Sequence, residues 1–313
     1  MIESAGLLAD SSIKTTSTRS QTPRVLQTVM FDAGNPRTSM FAPYAAPFVK
    51  WAGGKRKLLS AILNAAPMHF ERYLEPFVGG GAVALAIAHP VMLLNDANPD
   101  LMNTYQAVKC DSDALMRLLD RHRDCHSESY YYQIRDQIAE SLPSLEQAAR
   151  LIYLNKTCFN GLYRVNRRGQ FNVPYGRYEK PTLYDPMVLQ RASKAPAGTT
   201  LFTGDYRTFL DEHARAGDFI YLDPPYVPVG KYSDFKRYTK EQFRANNQDD
   251  LRDLYNELIR RGCYPVLSNS STARSLYDDH EVIELFAARN INKNGAGRKA
   301  IPEILVKPRL SAA

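Results

Sequence analysis

The tetrapeptide Asp223-Pro224-Pro225-Tyr226 limits what this chain can become more than any other stretch. It ends the apolar run Phe219-Ile220-Tyr221-Leu222, which follows a Gly217-Asp218 turn. A short, uncharged run rich in strand formers reads as a buried strand of a parallel sheet. In an open α/β sheet, ligands meet the protein beyond the carboxyl ends of the strands, where these four residues fall. Neither proline has an amide hydrogen and each fixes its own φ, so the ladder stops and a rigid ledge follows. On the ledge stand the Asp223 carboxylate, the Pro224 carbonyl and the Tyr226 ring. That set suits a planar ligand bearing an amino group. The plainer alternative is a strand end with a Pro-rich turn, and the rest of the chain has to decide between them.

The glycines upstream supply the next constraint. Arg72-Tyr73-Leu74-Glu75-Pro76-Phe77 reads as a strand, Val78-Gly79-Gly80-Gly81 as a tight turn and Ala82 to Ala88 as a helix. Such a turn lets a ligand lie against amides at a helix N-terminus. A second strand, Val91 to Asn95, ends in Asp96, where nucleotide folds bind ribose hydroxyls. An adenosine-containing cofactor follows. Gly79-x-Gly81-x-x-Ala84 also satisfies a dinucleotide pattern, which admits an NAD-dependent dehydrogenase, but nothing in a dehydrogenase explains Asp223 to Tyr226. Before this unit, Phe48 to Lys55 places Trp51, the only tryptophan, beside Gly53-Gly54 and Lys55, ahead of an amphipathic stretch through Leu58, Leu59, Ile62 and Leu63.

Helical patterns then run from Asp100 to Lys109, Ser112 to Asp124, Tyr131 to Ala139 and Leu145 to Tyr153. They are too many for simple β-α-β alternation, so the sheet is interrupted by an insertion. The net charge of +7 is concentrated there: residues 151 to 200 alone carry +6. Their basic residues alternate with Tyr153, Phe159, Tyr163, Phe171, Tyr175 and Tyr178, as on a surface that meets phosphates and stacks on bases. Leu162 to Asn166 and Gln170 to Val173 flank Arg167-Arg168-Gly169 and read as a hairpin. A two-stranded ribbon fits the major groove, where Arg164 can bridge O6 and N7 of a guanine. A charged hairpin tip is the structural alternative.

The sheet resumes with Thr200 to Thr203, and Asp205 and Tyr206 at its end are placed to hold a purine. Residues 227 to 238, with Lys231, Lys236 and Arg237, read as a basic loop over the site. A helix from Lys240 to Arg261, a strand at Pro265 to Asn269, another helix and a strand at Glu281 to Phe286 follow. A polar loop, 290–299, then leads into an antiparallel last strand, Glu303 to Val306. Residues 1–44, rich in Ser and Thr, read as a disordered tail without a targeting pattern, with Met30 and Met40 as alternative starts. No apolar run reaches the length of a membrane span. Cys110, Cys125, Cys158 and Cys263 form no C-x-x-C pair, and His122, Cys125 and His126 read as structural rather than as metal ligands. A reducing interior fits this cysteine usage.

Four segments in order, Lys50-Trp51-Ala52-Gly53-Gly54-Lys55, Glu75 to Gly81, Phe171-Asn172-Val173-Pro174-Tyr175-Gly176 and Asp223 to Tyr226, resemble the Dam-type (D12 class, alpha group) DNA adenine N6-methyltransferases. The resemblance runs from about Phe48 to Val306. It implies a Rossmann-like α/β sheet with helices on both faces, a catalytic domain over 45–98 and 199–308, and a helical plus β-hairpin target-recognition domain over 99–198. It implies S-adenosylmethionine as cofactor, lined by Trp51, Lys55, Glu75, Phe77, Gly79, Gly81, Asp96, Asp205, Tyr206 and Asp223, and no metal. Catalysis falls to Asp223, Pro224 and Tyr226, and contact with double-stranded DNA to Phe159, Asn160, Arg164, Pro174 and Tyr178. Phe159 stands where the family commonly has Tyr, so a hydroxyl is lost there.

The family's usual target is GATC, although relatives sharing Phe171 to Gly176 read longer sites containing GAT. The resemblance further implies a monomer or weak dimer, cytoplasmic and nucleoid-associated, from a prokaryote or phage, and leaves a cognate restriction endonuclease open. An RNA adenine methyltransferase and a catalytically inactive DNA-binding protein are the remaining alternatives. An enzyme for protein glutamine resembles the motif with Asn first, against Asp223.

Overall fold

The structure is a computed structural model and describes residues 46–225, 246–287 and 301–309. Seven strands, β1 (Arg72–Glu75), β2 (Val91–Asp96), β3 (Gly198–Thr203), β4 (Asp218–Leu222), β5 (Tyr264–Ser270), β6 (Glu281–Ala287) and β7 (Ile301–Lys307), make one sheet. Their order is β3-β2-β1-β4-β5-β7-β6. The first five run parallel, and β7 lies antiparallel to both β5 and β6. The chain winds outward from β1 in both directions, so β1 and β4 flank the switch point where such sheets open a crevice. This is the Rossmann-like fold with helices on both faces that the motifs imply.

Side-chain alternation divides the core in two. Tyr73, Phe219, Tyr221, Val266 and Leu305 face α1 (Leu59–Ala65), α2 (Ala82–Ile87) and the helices inserted after β2. Leu74, Ile220, Leu222, Leu267, Ile304 and Val306 face α7 (Tyr206–His213) and α8 (Asn246–Arg260). On α8 the buried apolar residues are Leu251, Leu254, Tyr255 and Leu258, one stripe at helical spacing. At the amino ends of β1 and β4, Arg72 donates Nε to Asp218 Oδ1 at 2.8 Å and Nη2 to Oδ2 at 2.7 Å.

Between β2 and β3 lie α3 (Pro99–Asp124), α4 (Glu128–Asp136), α5 (Ser144–Thr157) and α6 (Pro186–Ser193). The two helices expected over 100–109 and 112–124 meet within α3 at Asp111, whose φ −153° and ψ 73° are non-helical. There the Asp111 carboxylate accepts the Ala114 amide at 2.8 Å and caps the second segment internally. Leu115, Leu119, Ile134, Ala148 and Ile152 from these helices share one core with a face of the sheet. The expected hairpin is a short one: Val165 and Phe171 form an antiparallel bridge, flanked by the Asn166 amide on Gln170 O at 2.9 Å and the Asn172 amide on Arg164 O at 3.0 Å. Asn166 Oδ1 closes its tip by accepting the amides of Arg168 (2.8 Å) and Gln170 (3.1 Å). The helix expected after β5 is a 3-10 stretch, Ser271–Tyr277. Among the described residues, no helix is long and apolar enough to cross a membrane, and no group of three or more His, Cys, Asp or Glu could hold a metal.

Candidate active site

The turn after β1 is built around Asp96. Gly79 (φ 48°) and Gly81 (φ 69°) occupy the left-handed region that a side chain disfavours. The bend aims the Gly79 amide at Asp96 Oδ2 (3.0 Å), while Asp96 Oδ1 accepts the Asn98 amide at 2.9 Å. Each oxygen thus accepts one amide and keeps a lone pair for a further donor, such as a ribose hydroxyl. Burial pushes the Asp96 carboxyl up to about 6, against the two amides, which favour its charged form. The Tyr105 hydroxyl donates to Gly79 O at 3.0 Å and holds the turn from below. A Cβ on Gly79 would come within 2.9 Å of Trp51 Cδ1, so glycine is what lets the indole close over the turn.

Beyond β4, Asp223 and the buried Pro224 sit where the ledge was expected. Lys55, only 5% exposed, places Nζ 2.8 Å from Asp223 Oδ1 and 3.9 Å from Glu303 Oε2, and donates to Gly53 O at 2.9 Å. Burial raises the Asp223 pKa, Lys55 opposes that shift, and the Glu303 charge adds to it. Glu75 is fully buried and accepts the Tyr73 hydroxyl at 2.8 Å. Burial above all, with Asp223 and Asp96 nearby, holds its carboxyl well above the usual range. Lys55 thus stands between two carboxylates, Asp223 and Glu303, with Asp96 and the Glu75 carboxyl in the same crevice, an acidic lining that suits a cationic ligand with ribose hydroxyls. S-adenosylmethionine has that chemistry, so the residues fit it.

The Phe77 ring lies 4.9 Å from Tyr206 beside this crevice. Asp205 is exposed and caps α7, its Oδ1 accepting the Arg207 and Thr208 amides at 2.8 and 3.2 Å. Tyr226 and the loops expected over 227–238 and 290–299 lie outside the described residues.

The DNA-facing candidates gather on the insertion. Phe159 is 41% exposed, and Asn160 beside it takes φ 56° in a 3-10 turn that ends α5. Pro174 accepts the Phe159 amide at 2.9 Å, so the segment Phe171 to Gly176 runs against this turn. Arg164 donates Nε to Asn172 Oδ1 at 2.7 Å and Nη2 to Asn172 O at 3.1 Å, which aligns its guanidinium along the hairpin. The Lys50 ammonium lies 5.2 Å from the Tyr178 ring centroid. An aromatic series links hairpin to crevice: Phe171 to Tyr163 at 5.7 Å, and Tyr163 to Trp51 at 5.1 Å.

Reading the sequence missed two residues that hold these parts together. Asn155, buried in α5, donates to Lys50 O at 2.7 Å and accepts the Lys50 amide at 2.8 Å. Its signal was an amide on the apolar side of a helix, between Leu154 and the small buried Thr157. Glu303 carried none, because only the register of β7 opposite Ser270 brings it to Lys55.

Residues 51–291 match the model of the D12 class N6 adenine-specific DNA methyltransferases. A Type II methyltransferase of Lactococcus lactis subsp. cremoris is 38% identical over 268 residues, covering 83% of this chain and 94% of that protein. One from Methanocaldococcus jannaschii is 38% identical over 283 residues, covering 83% and 98%. A DNA adenine methylase of Vibrio cholerae is 35% identical over 272 residues, covering 85% and 97%. With a matching family model over most of its length, relatives aligned nearly end to end, and a carboxylate-proline ledge at the switch point of its sheet, the chain belongs to the D12 class N6 adenine-specific DNA methyltransferases.

Proposed function

We propose that this chain uses S-adenosylmethionine to methylate adenine N6 in double-stranded DNA, within GATC, on a base that has left the duplex. The observation that carries the reading is the Asp223 carboxylate beside buried Pro224 at the end of β4, held by Lys55 at 2.8 Å. Adenine N6 is a poor nucleophile because its lone pair is delocalised into the ring. Asp223 and the Pro224 carbonyl can accept hydrogen bonds from its two N–H groups and localise that pair, stabilising positive charge as it develops. The bound cofactor supplies an electrophilic methyl on a sulfonium. Asp96 would hold its ribose, Trp51 would cover its flat surface, Glu75 would offer a buried polar wall, and Asp223 would balance its charge. The Asp223 carboxyl, already raised by burial, suits temporary custody of the proton that N6 releases.

In this reading, 45–98 and 199–308 carry chemistry and 99–198 reads DNA. Phe159 enters the stack vacated by the flipped base, Arg164 reads a guanine, and Asn160, Pro174 and Tyr178 line the groove. Tyr226 stacks on the extruded adenine. The test is to incubate unmethylated plasmid DNA with enzyme and S-adenosylmethionine and map N6-methyladenine by sequencing. Modification of both strands at GATC is expected. Modification at other sites containing GAT revises Arg164 and Tyr178, and modification of cytosine or of nothing contradicts the reading.

A further inference from the structure

His126 belongs to no part of the chemistry above, yet it is held on both ring nitrogens. It follows Cys125, which closes α3 by donating its amide to Arg121 O at 3.1 Å. His126 Nδ1 lies 2.9 Å from the Tyr153 hydroxyl on α5, and Nε2 lies 2.9 Å from Tyr178 O and 3.1 Å from the Tyr175 hydroxyl. A carbonyl can only accept, so Nε2 carries the proton and Tyr153 donates to Nδ1. The Tyr175 hydroxyl donates to the same carbonyl at 3.0 Å. One peptide oxygen thus receives two side-chain donors.

Arg177, the residue before, takes φ 57° without being glycine, a conformation that persists where its surroundings dictate it. Gly176 permits the approach on the other side: its amide donates to Thr157 O at 2.8 Å, and a Cβ there would come within 2.6 Å of Cys158 O. The path of the chain from Gly176 to Tyr178 is therefore imposed from three sides, while the Tyr178 ring lies under the Lys50 ammonium.

We infer that His126 is a positioning residue for target discrimination. It fixes the Tyr178 peptide so that the Tyr178 side chain meets one base pair from a single direction. The inference rests on the reading of Tyr178 as a base-contacting residue.

The test compares the full-length enzyme with His126→Ala, His126→Gln and Tyr175→Phe. Initial rates are measured at saturating S-adenosylmethionine on the duplex that the unaltered enzyme prefers and on duplexes with one base pair changed. For His126→Ala, discrimination at one position should fall 5- to 20-fold, while kcat on saturating preferred duplex stays within twofold. His126→Gln, whose amide can still donate to Tyr178 O, should recover most of that loss, and Tyr175→Phe should lose 2- to 5-fold. If His126→Ala does not fold, Tyr153→Phe, which leaves Nδ1 without its donor, takes its place with the same expectation.

Unchanged ratios, or an equal loss on every duplex, overturn the inference. An unaltered enzyme that methylates adenine with no preference among duplexes overturns it together with the reading of Tyr178. One that discriminates, while His126→Ala discriminates equally, overturns the inference alone.

Discussion

The crevice at the ends of β1, β2 and β4 and the surface around Tyr178 are built on opposite plans. In the crevice the functional groups are carboxylates: Lys55 stands against Asp223 and Glu303, and Glu75 and Asp96 lie close by. Around Tyr178 they are cationic: Lys50 and, from the insertion, Lys156, Arg164 and Arg177 among aromatic rings. Burial and the neighbouring Lys50 charge bring the Lys156 ammonium down to about 8. One region favours a small cation and the other a polyanion. A reaction between a cationic methyl donor and DNA needs both within reach of one base, and the Asn155 clamp on Lys50 joins them.

The comparison predicts where substitutions act. Asp223→Ala should lower the single-turnover methylation rate roughly 10³-fold while leaving DNA affinity within a few-fold and cofactor binding only partly reduced. A rate near that of the unaltered enzyme would break the division of labour. Asn155→Ala leaves the Lys50 amide and carbonyl without their partner and should cost about 3 kcal/mol of stability in urea unfolding. A loss confined to activity would mean that the clamp orients rather than supports.

Arg164→Ala should cost about 2 kcal/mol of discrimination at one guanine, read from kcat/KM on duplexes changed at single positions, with cofactor affinity untouched. A smaller effect concerns pH. Because the Asp96 carboxyl is raised to about 6, it is charged above that pH and neutral below it. Cofactor affinity should therefore fall about fivefold between pH 6 and 5 in calorimetric titration, and Asp96→Asn should flatten the dependence. A slope that survives this substitution assigns the titration to another group.

The same contrast explains what could be read in the sequence. Strand β4, the glycine turn and Asp96 were legible because each depends on neighbours: an apolar run stopped by prolines, a bend that needs left-handed glycines, an acid at a strand tip. The insertion was legible from its excess of helices, and even the break at Asp111 was seen as a boundary. Helix α7 escaped notice because Asp205 was read for its carboxylate chemistry rather than as the cap of Tyr206–His213. The hairpin falls where its glycine turn put it, with Asn166 donating its amide to Gln170 O at 2.9 Å and Asn172 to Arg164 O at 3.0 Å; only the closing of its tip by the Asn166 side chain was not foreseen.

The couplings lay beyond reach. His126 meets Tyr178 across 52 positions and Asn155 meets Lys50 across 105, whereas Asp96 meets Gly79 across 17 along a β-α-β unit. No local pattern encodes such long-range pairs, since they depend on how α3 and α5 pack.

The most direct test of the central claim, attack by adenine N6 at the Asp223-Pro224 ledge, uses two duplexes. One contains GATC, and the other carries at the same adenine position a purine that lacks the 6-amino group. Labelled methyl from S-adenosylmethionine should enter the first alone and be recovered as N6-methyladenine. Equal labelling of the second duplex, or label recovered on any other base, would contradict it.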